Sequence, residues 1–301
     1  DDKVEFFSGI YQKKTTGAPI AFMIWNKNQK KKDYGELKEI FRPSHADFTY
    51  QEKYGIRDPF GGGRSSARET ACRVVAGALA SQFLTLQGIS IFSYVSCISS
   101  IKLDKDYKTL DLSKTYDNNI RCPDVEIAKK MEEYIINIKK EGDSVGGHIN
   151  TVVKGVKAGL GQPLYNKLNA RISFSIMSIN AVKGIEFGLG FSSSQLKGSE
   201  YNDIFFSDNN KINTKTNNCG GIQGGISNGQ DIVFKTVFKP TSSIKKEQKT
   251  VNKDGGETFF INKGRHDPCI LPRAVPIVES MTAIVLLDMY LLNFSSKIDN
   301  L

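Results

Sequence analysis

Residues 61–88 read GGGRSSARETACRVVAGALASQFLTLQG. From Ala67 to Gln87 the apolar residues Ala71, Val74, Val75, Ala78, Leu79 and Phe83 recur at helical spacing, which predicts a helix with one face turned to a core. Ser66-Ala67-Arg68-Glu69 has the form of a capping box, and Gly88 supplies a C′ stop. Ahead of this helix stand three glycines, which let backbone approach a ligand closely. The helix start offers unpaired N–H groups and positive dipole potential, and Arg64 and Arg68 add forked donors for phosphate or carboxylate. A tight turn carrying two solvated arginines fits the same spacing. No lysine-serine pair follows the glycines, so this is not a Walker loop.

Outward from this stretch, a second helix is expected over about Val125–Glu141, capped by Asp124 and stopped by Gly142. A third, from near Val275 to about Asn293, is apolar nearly all round and so belongs in a core or an interface. A fourth lies between Leu164 and Ser178. Strand composition marks Ile89–Ser96, Gly147–Val156, Gly184–Phe191 and Asp231–Phe238. Strands and helices cluster without strict alternation, which favours an α+β fold with antiparallel sheet over a doubly wound parallel sheet. Lys197–Asn218 reads as a long mobile loop, and Lys245–Gly256 as a charged hairpin or loop.

The chain of 301 residues has a formal charge of +9, 39% hydrophobic and 24% charged residues, an ordinary globular balance. The apolar run Ala283–Leu287 reads as part of a helix broken by Asp288, and no apolar run reaches the length of a membrane span. Five cysteines (72, 97, 122, 219, 269), odd in number and without a C-x-x-C pair, argue against a disulfide framework and fit a reducing cytosol. Neither they nor the scattered His45, His148 and His266 suggest a metal site. The positive charge suits an anionic partner: nucleic acid, a membrane surface or a phosphorylated metabolite.

Four further stretches carry chemistry. In Arg42-Pro43-Ser44-His45-Ala46-Asp47 a histidine is flanked by arginine and aspartate, a setting suited to holding a proton. Lys263-Gly264-Arg265-His266-Asp267 places a cation, an imidazole and a carboxylate side by side. Adjacent residues point apart, so a pocket wall suits them better than a proton relay. Residues 220–229, GGIQGGISNG, expose bare backbone, suited to a flat ring or to another backbone. Lys239-Pro240-Thr241-Ser242-Ser243 offers an ammonium and three hydroxyls to a phosphate. Taken singly, each has an ordinary structural reading: a turn, a loop histidine or a surface ion-pair cluster.

In order and wording, RPSHAD (42–47), GGGRSSARET (61–70), SINAVKG (178–184), GGIQGGISNG (220–229), KPTSS (239–243) and GRHDPC (264–269) together resemble the chorismate synthase family. DSVGG at 143–147 and GLG at 159–161 fit it too, so the resemblance spans essentially the whole chain. It implies a lyase that converts 5-enolpyruvylshikimate 3-phosphate to chorismate and phosphate by 1,4-anti elimination, with reduced FMN, in aromatic amino acid biosynthesis. It implies one α+β domain over 1–301, central helices sandwiched between antiparallel sheets, as a cytoplasmic homotetramer. By resemblance Arg42, Ser66, Ala67, Arg68 and Arg265 contact substrate. Arg64, Ser65, Ser66, Asn180, Ala181, Gly224, Lys239, Pro240, Thr241, Ser242, Ser243 and Arg265 lie at the FMN. His45 is the acid serving the flavin, and Asp267 acts near flavin N5, whereas His148 is structural or exposed. Some family members reduce their own flavin with NADPH. This chain shows no G-x-G-x-x-G after a strand, and an external reductant is expected.

Family members also carry a preceding segment with a G-E-S-H-G motif, whose histidine protonates the departing phosphate. The resemblance therefore leads to the expectation that these 301 residues are incomplete and nearly inactive alone. The rival of another class is a non-catalytic flavin- or anion-binding protein, such as an RNA binder, supported by the charge and the lysine-rich stretches 29–32 and 245–249. Those stretches have no interleaved aromatics, and no RNA-recognition motif accompanies them, so neither nucleic acid nor membrane is the expected partner.

Overall fold

The computed structural model describes residues 3–27, 38–59, 66–209, 211–262, 264 and 267–296. In chain order the elements are β1 (Val4–Phe6), β2 (Ile10–Tyr11), β3 (Lys14–Thr15), β4 (Phe22–Ile24), α1 (Asp47–Tyr54), α2 (Thr70–Leu86), β5 (Ser90–Ile98), β6 (Ile101–Lys102), α3 (Val125–Lys140) and β7 (Gly147–Lys154). There follow α4 (Leu168–Met177), β8 (Val182–Phe187), α5 (Gly198–Tyr201), β9 (Phe205–Asp208), β10 (Lys211–Thr214), β11 (Ile222–Gln223), β12 (Ile226–Ser227), β13 (Ile232–Phe238), β14 (Gln248–Val251), β15 (Glu257–Phe260) and α6 (Leu271–Phe294).

The fold is α+β. Strands β6-β5-β7-β13-β8 form a five-stranded antiparallel sheet, with Tyr94 opposite Asn150, Ile149 opposite Thr236, and Thr236 opposite Ile185. Along β13, buried Ile232, Phe234, Thr236 and Phe238 alternate with half-buried Val233, Lys235 and Val237, the period of a strand with one face in the core. Helix α6 lies against β5, β7, α2 and α4, while α2 touches both β5 and β4 of the small β1–β4 ribbon. Helix thus packs between antiparallel sheets. The α2–α6 seam is close because Gly77 has no side chain: a Cβ there would stand 2.2 Å from that of Ser280. At the far end of the seam the Tyr290 hydroxyl donates to Gln87 Oε1 at 2.8 Å.

The sheet edge beside α6 is closed by a buried carboxylate. Glu279 of α6 accepts from the Ser93 amide at 2.8 Å and from the Tyr116 hydroxyl at 2.5 Å. Burial pushes this carboxyl above its ordinary value, against the opposing pull of those donors and of Arg121.

Asp124 caps α3 through the Ile127 amide at 3.0 Å, and Gly142 ends it in the left-handed region, as the sequence predicts. Other expectations are corrected. The capping box at 66–69 does not close: Ser66 Oγ accepts from the Arg68 amide, Ala67–Glu69 form a 3-10 turn, and the Glu69 carboxylate instead grips Arg73. Helix α6 begins at Leu271, because Pro272 sits in its first turn, where the missing N–H costs nothing. Asp288 does not break α6; it projects to the surface and meets Arg171 at 3.3 Å. Uninterrupted, α6 is long and apolar enough to cross a membrane by length and composition, with mean hydropathy 1.7, but here it packs on α2 and the sheet. Lys197–Asn218 is not one long loop: it holds α5 and the β9–β10 hairpin. Asp203 ties its ends by accepting from Thr216 Oγ1 at 2.6 Å, the Asn218 amide at 2.7 Å and the Cys219 amide at 3.0 Å. Lys245–Gly256, expected as a charged hairpin or loop, does hold β14 and the turn of the β14–β15 hairpin.

Candidate active site

Five separate chain segments converge on one cavity of about 860 Å³. Arg42–Asp47 with Arg57–Pro59 form one wall, and Ser66–Arg68 with the first turns of α2 another. Ile179–Ala181 after α4, Phe238–Ser243 after β13, and Asp267 with the start of α6 complete it. Among the described lining residues, cations Arg42, Arg57, Arg68, Lys239 and Arg273 outnumber carboxylates Asp47, Asp58 and Asp267. Apolar groups, among them Val74, Phe238, Ile270 and Ile277, share the lining. A cationic, partly apolar cavity suits an anion that also carries a ring.

The RPSHAD stretch folds around the Asp47 carboxylate. Ser44 takes φ 57° and the His45 amide bonds to Arg42 O at 3.2 Å, closing a turn ahead of α1. Asp47 Oδ2 accepts Arg42 Nε at 2.7 Å and the Arg42 amide at 3.2 Å. Its Oδ1 lies 2.8 Å from Arg42 Nη2, 2.9 Å from His45 Nδ1 and 3.1 Å from Arg57 Nη1. Burial alone would raise this carboxyl, but the hydrogen bonds and charges of Arg42 and His45 hold it well below the usual carboxylate range. Arg57 also donates to Ile40 O at 3.0 Å and stacks over Phe41.

On the opposite wall Ala181 holds φ 69°, an uncommon backbone for alanine, and its carbonyl accepts the Lys239 amide at 2.9 Å. Asn180 Oδ1 is buried and has no hydrogen-bond partner among the described residues. Burial, helped by Lys183, pushes the Lys239 ammonium below its ordinary value; its nearest acceptor is Pro240 O at 3.3 Å. An orphaned amide oxygen and a half-buried ammonium beside Thr241, Ser242 and Ser243 fit a polar ring with a phosphate arm. Thr241 Oγ1 donates to Asp267 O at 2.9 Å, and the Asp267 carboxylate pairs with Arg273 Nη1 at 3.2 Å. Beside it, burial pushes the Cys269 thiol up to about 12, which rules it out as a nucleophile near neutral pH.

Of the residues expected from sequence, Arg42, His45, Ser66, Ala67, Arg68, Asn180, Ala181, Lys239, Thr241, Ser242, Ser243 and Asp267 line this cavity, with Pro240 between lining neighbours. Arg64, Ser65, Arg265, His266 and the 29–32 lysine stretch lie outside the described residues. Gly224 lies in the turn of the β11–β12 hairpin, and the carbonyl of the next residue, Gly225, accepts the Leu168 amide at 2.8 Å. His148 sits on β7 opposite Cys97 and Val237, away from the cavity. Sequence reasoning missed Arg57 and Arg273. The only signal for either was an arginine beside an aspartate or a proline, which is too common to single out.

The model of the chorismate synthase family matches residues 1–291. The chorismate synthase of Phocaeicola vulgatus is 56% identical over 297 residues, covering 99% of this chain and 83% of that protein. That of Parabacteroides distasonis is 58% identical over 292 residues, covering 97% and 81%. A crystal structure of chorismate synthase superposes with a TM-score of 0.77 at 29% identity, over 99% of this chain and 81% of that one. With the motif-bearing segments gathered on one cavity and the likeness running the length of the chain, this protein belongs to the chorismate synthase family, a family of carbon–oxygen lyases of the shikimate pathway.

Proposed function

We propose that residues 1–301 belong to one domain that converts 5-enolpyruvylshikimate 3-phosphate to chorismate and phosphate with reduced FMN bound in the same cavity. The observation that carries this reading is the convergence of Arg42–Asp47, Ser66–Arg68, Asn180–Ala181, Lys239–Ser243 and Asp267 on one cationic cavity. Lys239 and the hydroxyls of Thr241, Ser242 and Ser243 would hold the FMN, and Asn180 would offer its orphaned oxygen to a ring N–H. Arg42, Ser66, the Ala67 backbone and Arg68 would hold the substrate's anionic groups. When bound, reduced FMN supplies electron density to the substrate as its C–O bond breaks. His45 holds a proton at the cavity wall, and the Asp267 carboxylate stands ready to accept one as C6–H is lost. Arg273 pairs with that carboxylate at 3.2 Å and orients it. The apolar lining excludes water and strengthens each charge contact.

The wider setting belongs to the same proposal. An external reductant supplies the reduced flavin. The chain works in the cytoplasm, which its five free cysteines support. It assembles as a homotetramer, which the exposed Tyr165, Phe174, Phe191 and Ile212 support.

The test is a chorismate-formation assay with reduced FMN, beside flavin titration of wild type and Lys239→Ala. The expected result is phosphate release tied to chorismate formation, with flavin bound about 10-fold or more weakly by the variant, the scale of one lost charge-assisted contact. Equal flavin affinity in the two proteins would remove Lys239 from the flavin site. No chorismate from wild type joined to a G-E-S-H-G-bearing segment would overturn the reading as a whole.

A further inference from the structure

Asp47 is 6% exposed, yet five donor atoms converge on its two oxygens. Neutralising two arginines would need no histidine, and the position of His45 is the informative part. Its Nδ1 stands 2.9 Å from Asp47 Oδ1 and 3.0 Å from Arg42 Nη2. A guanidinium only donates and an ionised carboxylate only accepts. A bare Nδ1 would aim its lone pair at the Asp47 oxygen, which is repulsive. A protonated Nδ1 donates to that oxygen, while Arg42 Nη2 places its own hydrogen on the same oxygen at 2.8 Å. One assignment therefore satisfies all three groups, and it holds whether the ring is neutral or cationic.

We propose that Asp47 is the positioning residue of the site: it fixes the hydrogen of His45 on Nδ1, presents Nε2 to the cavity, and clamps Arg42 and Arg57 beside it. The catalytic half of this proposal rests on the reading of His45 as the proton carrier. Sequence placement makes the device local. Asp47 is the first residue of α1, where an acidic side chain is favoured by the helix dipole, and the turn at Ser44 folds His45 back over Arg42. Arg57 comes from beyond α1 and is itself anchored on Ile40 O, so the carboxylate joins both ends of the segment. The imidazole is thereby held in one orientation by the carboxylate.

The experiment uses the full chain labelled with nitrogen-15 on histidine. Only three histidines are present, and His45 is assigned by its missing signals in His45→Gln. In the wild type, the His45 ring should show Nδ1 protonated. In Asp47→Asn, the tautomers should mix, turnover should fall about 100-fold, and the flavin dissociation constant should stay within about threefold. In a His45→Gln background the same Asp47→Asn change should cost less turnover than in the wild type, because the part of its effect that runs through the imidazole is already lost. A neutral wild-type ring protonated on Nε2 with Nδ1 bare overturns the proposal, whatever the activities and whether or not Asp47→Asn folds. Normal turnover in His45→Gln overturns the role given to His45 and the catalytic half of this proposal, while the nitrogen signals judge the positioning half separately.

Discussion

Replacing Gly77 with alanine would put a methyl carbon 2.2 Å from Ser280 Cβ, 2.4 Å from its Cα and 2.6 Å from its Oγ. Non-bonded carbons settle at about 3.5–4.0 Å, so α2 and α6 must part locally by roughly 1.3–1.8 Å. The nearest atoms are the backbone and first side-chain carbon of a buried helix, which no rotamer change can move aside. Overpacking of this kind costs about 1–3 kcal/mol, and the upper end applies where backbone must shift. Alanine recovers up to about 1 kcal/mol through its better helix propensity, leaving a net loss near 2 kcal/mol. The same seam supplies Ala71 and Val74 from α2, and Ala274 and Ile277 from α6, to the cavity lining, so ligand binding should weaken as well. Urea denaturation gives the stability change, and flavin titration gives the change at the site. Ser280→Ala should not rescue Gly77→Ala, because Cβ and Cα remain in place. Ser280→Gly should recover only part, because Cα still lies too close. A Gly77→Ala midpoint at or above wild type would refute the close-packing argument, as would full rescue by Ser280→Ala.

The remaining predictions concern the site and its support. Arg68→Ala should weaken substrate binding by about 1.5–3 kcal/mol in calorimetry while flavin affinity changes much less; unchanged substrate affinity would remove Arg68 from that role. His45→Ala and Asp267→Asn should each lower turnover by roughly 10²-fold or more with ligand binding retained, and normal rates in both would refute their assignment to proton handling. Burial raises the Glu279 carboxyl above its unfolded value, so the folded chain holds that proton more tightly. The stability this contributes is full below the unfolded value and is lost as pH rises through the folded one. Glu279→Gln should therefore flatten the fall in unfolding free energy as pH rises above the ordinary glutamate range, and an unchanged slope would show that Glu279 does not set it.

The helices were legible because their signals are local. Asp124 and Gly142 bracket α3 in the sequence as they do in the structure, and the apolar spacing from Ala71 to Phe83 marks α2 as a helix, although the residues it buries are Thr70, Gly77, Ala80 and Leu84 and Ala78 is exposed. Strands β5, β7 and β13 were legible by composition, and the family resemblance by the wording of whole motifs. The misreadings share one physical cause, which is that side-chain partners override local rules. Glu69 had the form of a capping residue, but Arg73 stands one turn away and takes the carboxylate. Asn and Asp in 197–218 looked like loop residues until Asp203 is seen collecting donors from 216, 218 and 219.

The sequence by itself determined the chemical inventory: glycines ahead of a helix, arginines and hydroxyls for anions, two histidines each set between arginine and aspartate. Only the tertiary structure decided which of these meet. It brings Arg42 and Asp267 to one cavity across more than two hundred residues, draws Arg57 and Arg273 into it, and sets His148 on β7 opposite Cys97 and Val237. Periodicity and capping act over a few residues, where the chain's own geometry sets who is near whom. Convergence depends on how the sheet order β6-β5-β7-β13-β8 and the close α2–α6 crossing bring loop ends together. That arrangement arises from burying one apolar face against another, a sum over many weak contacts that no single stretch of sequence contains.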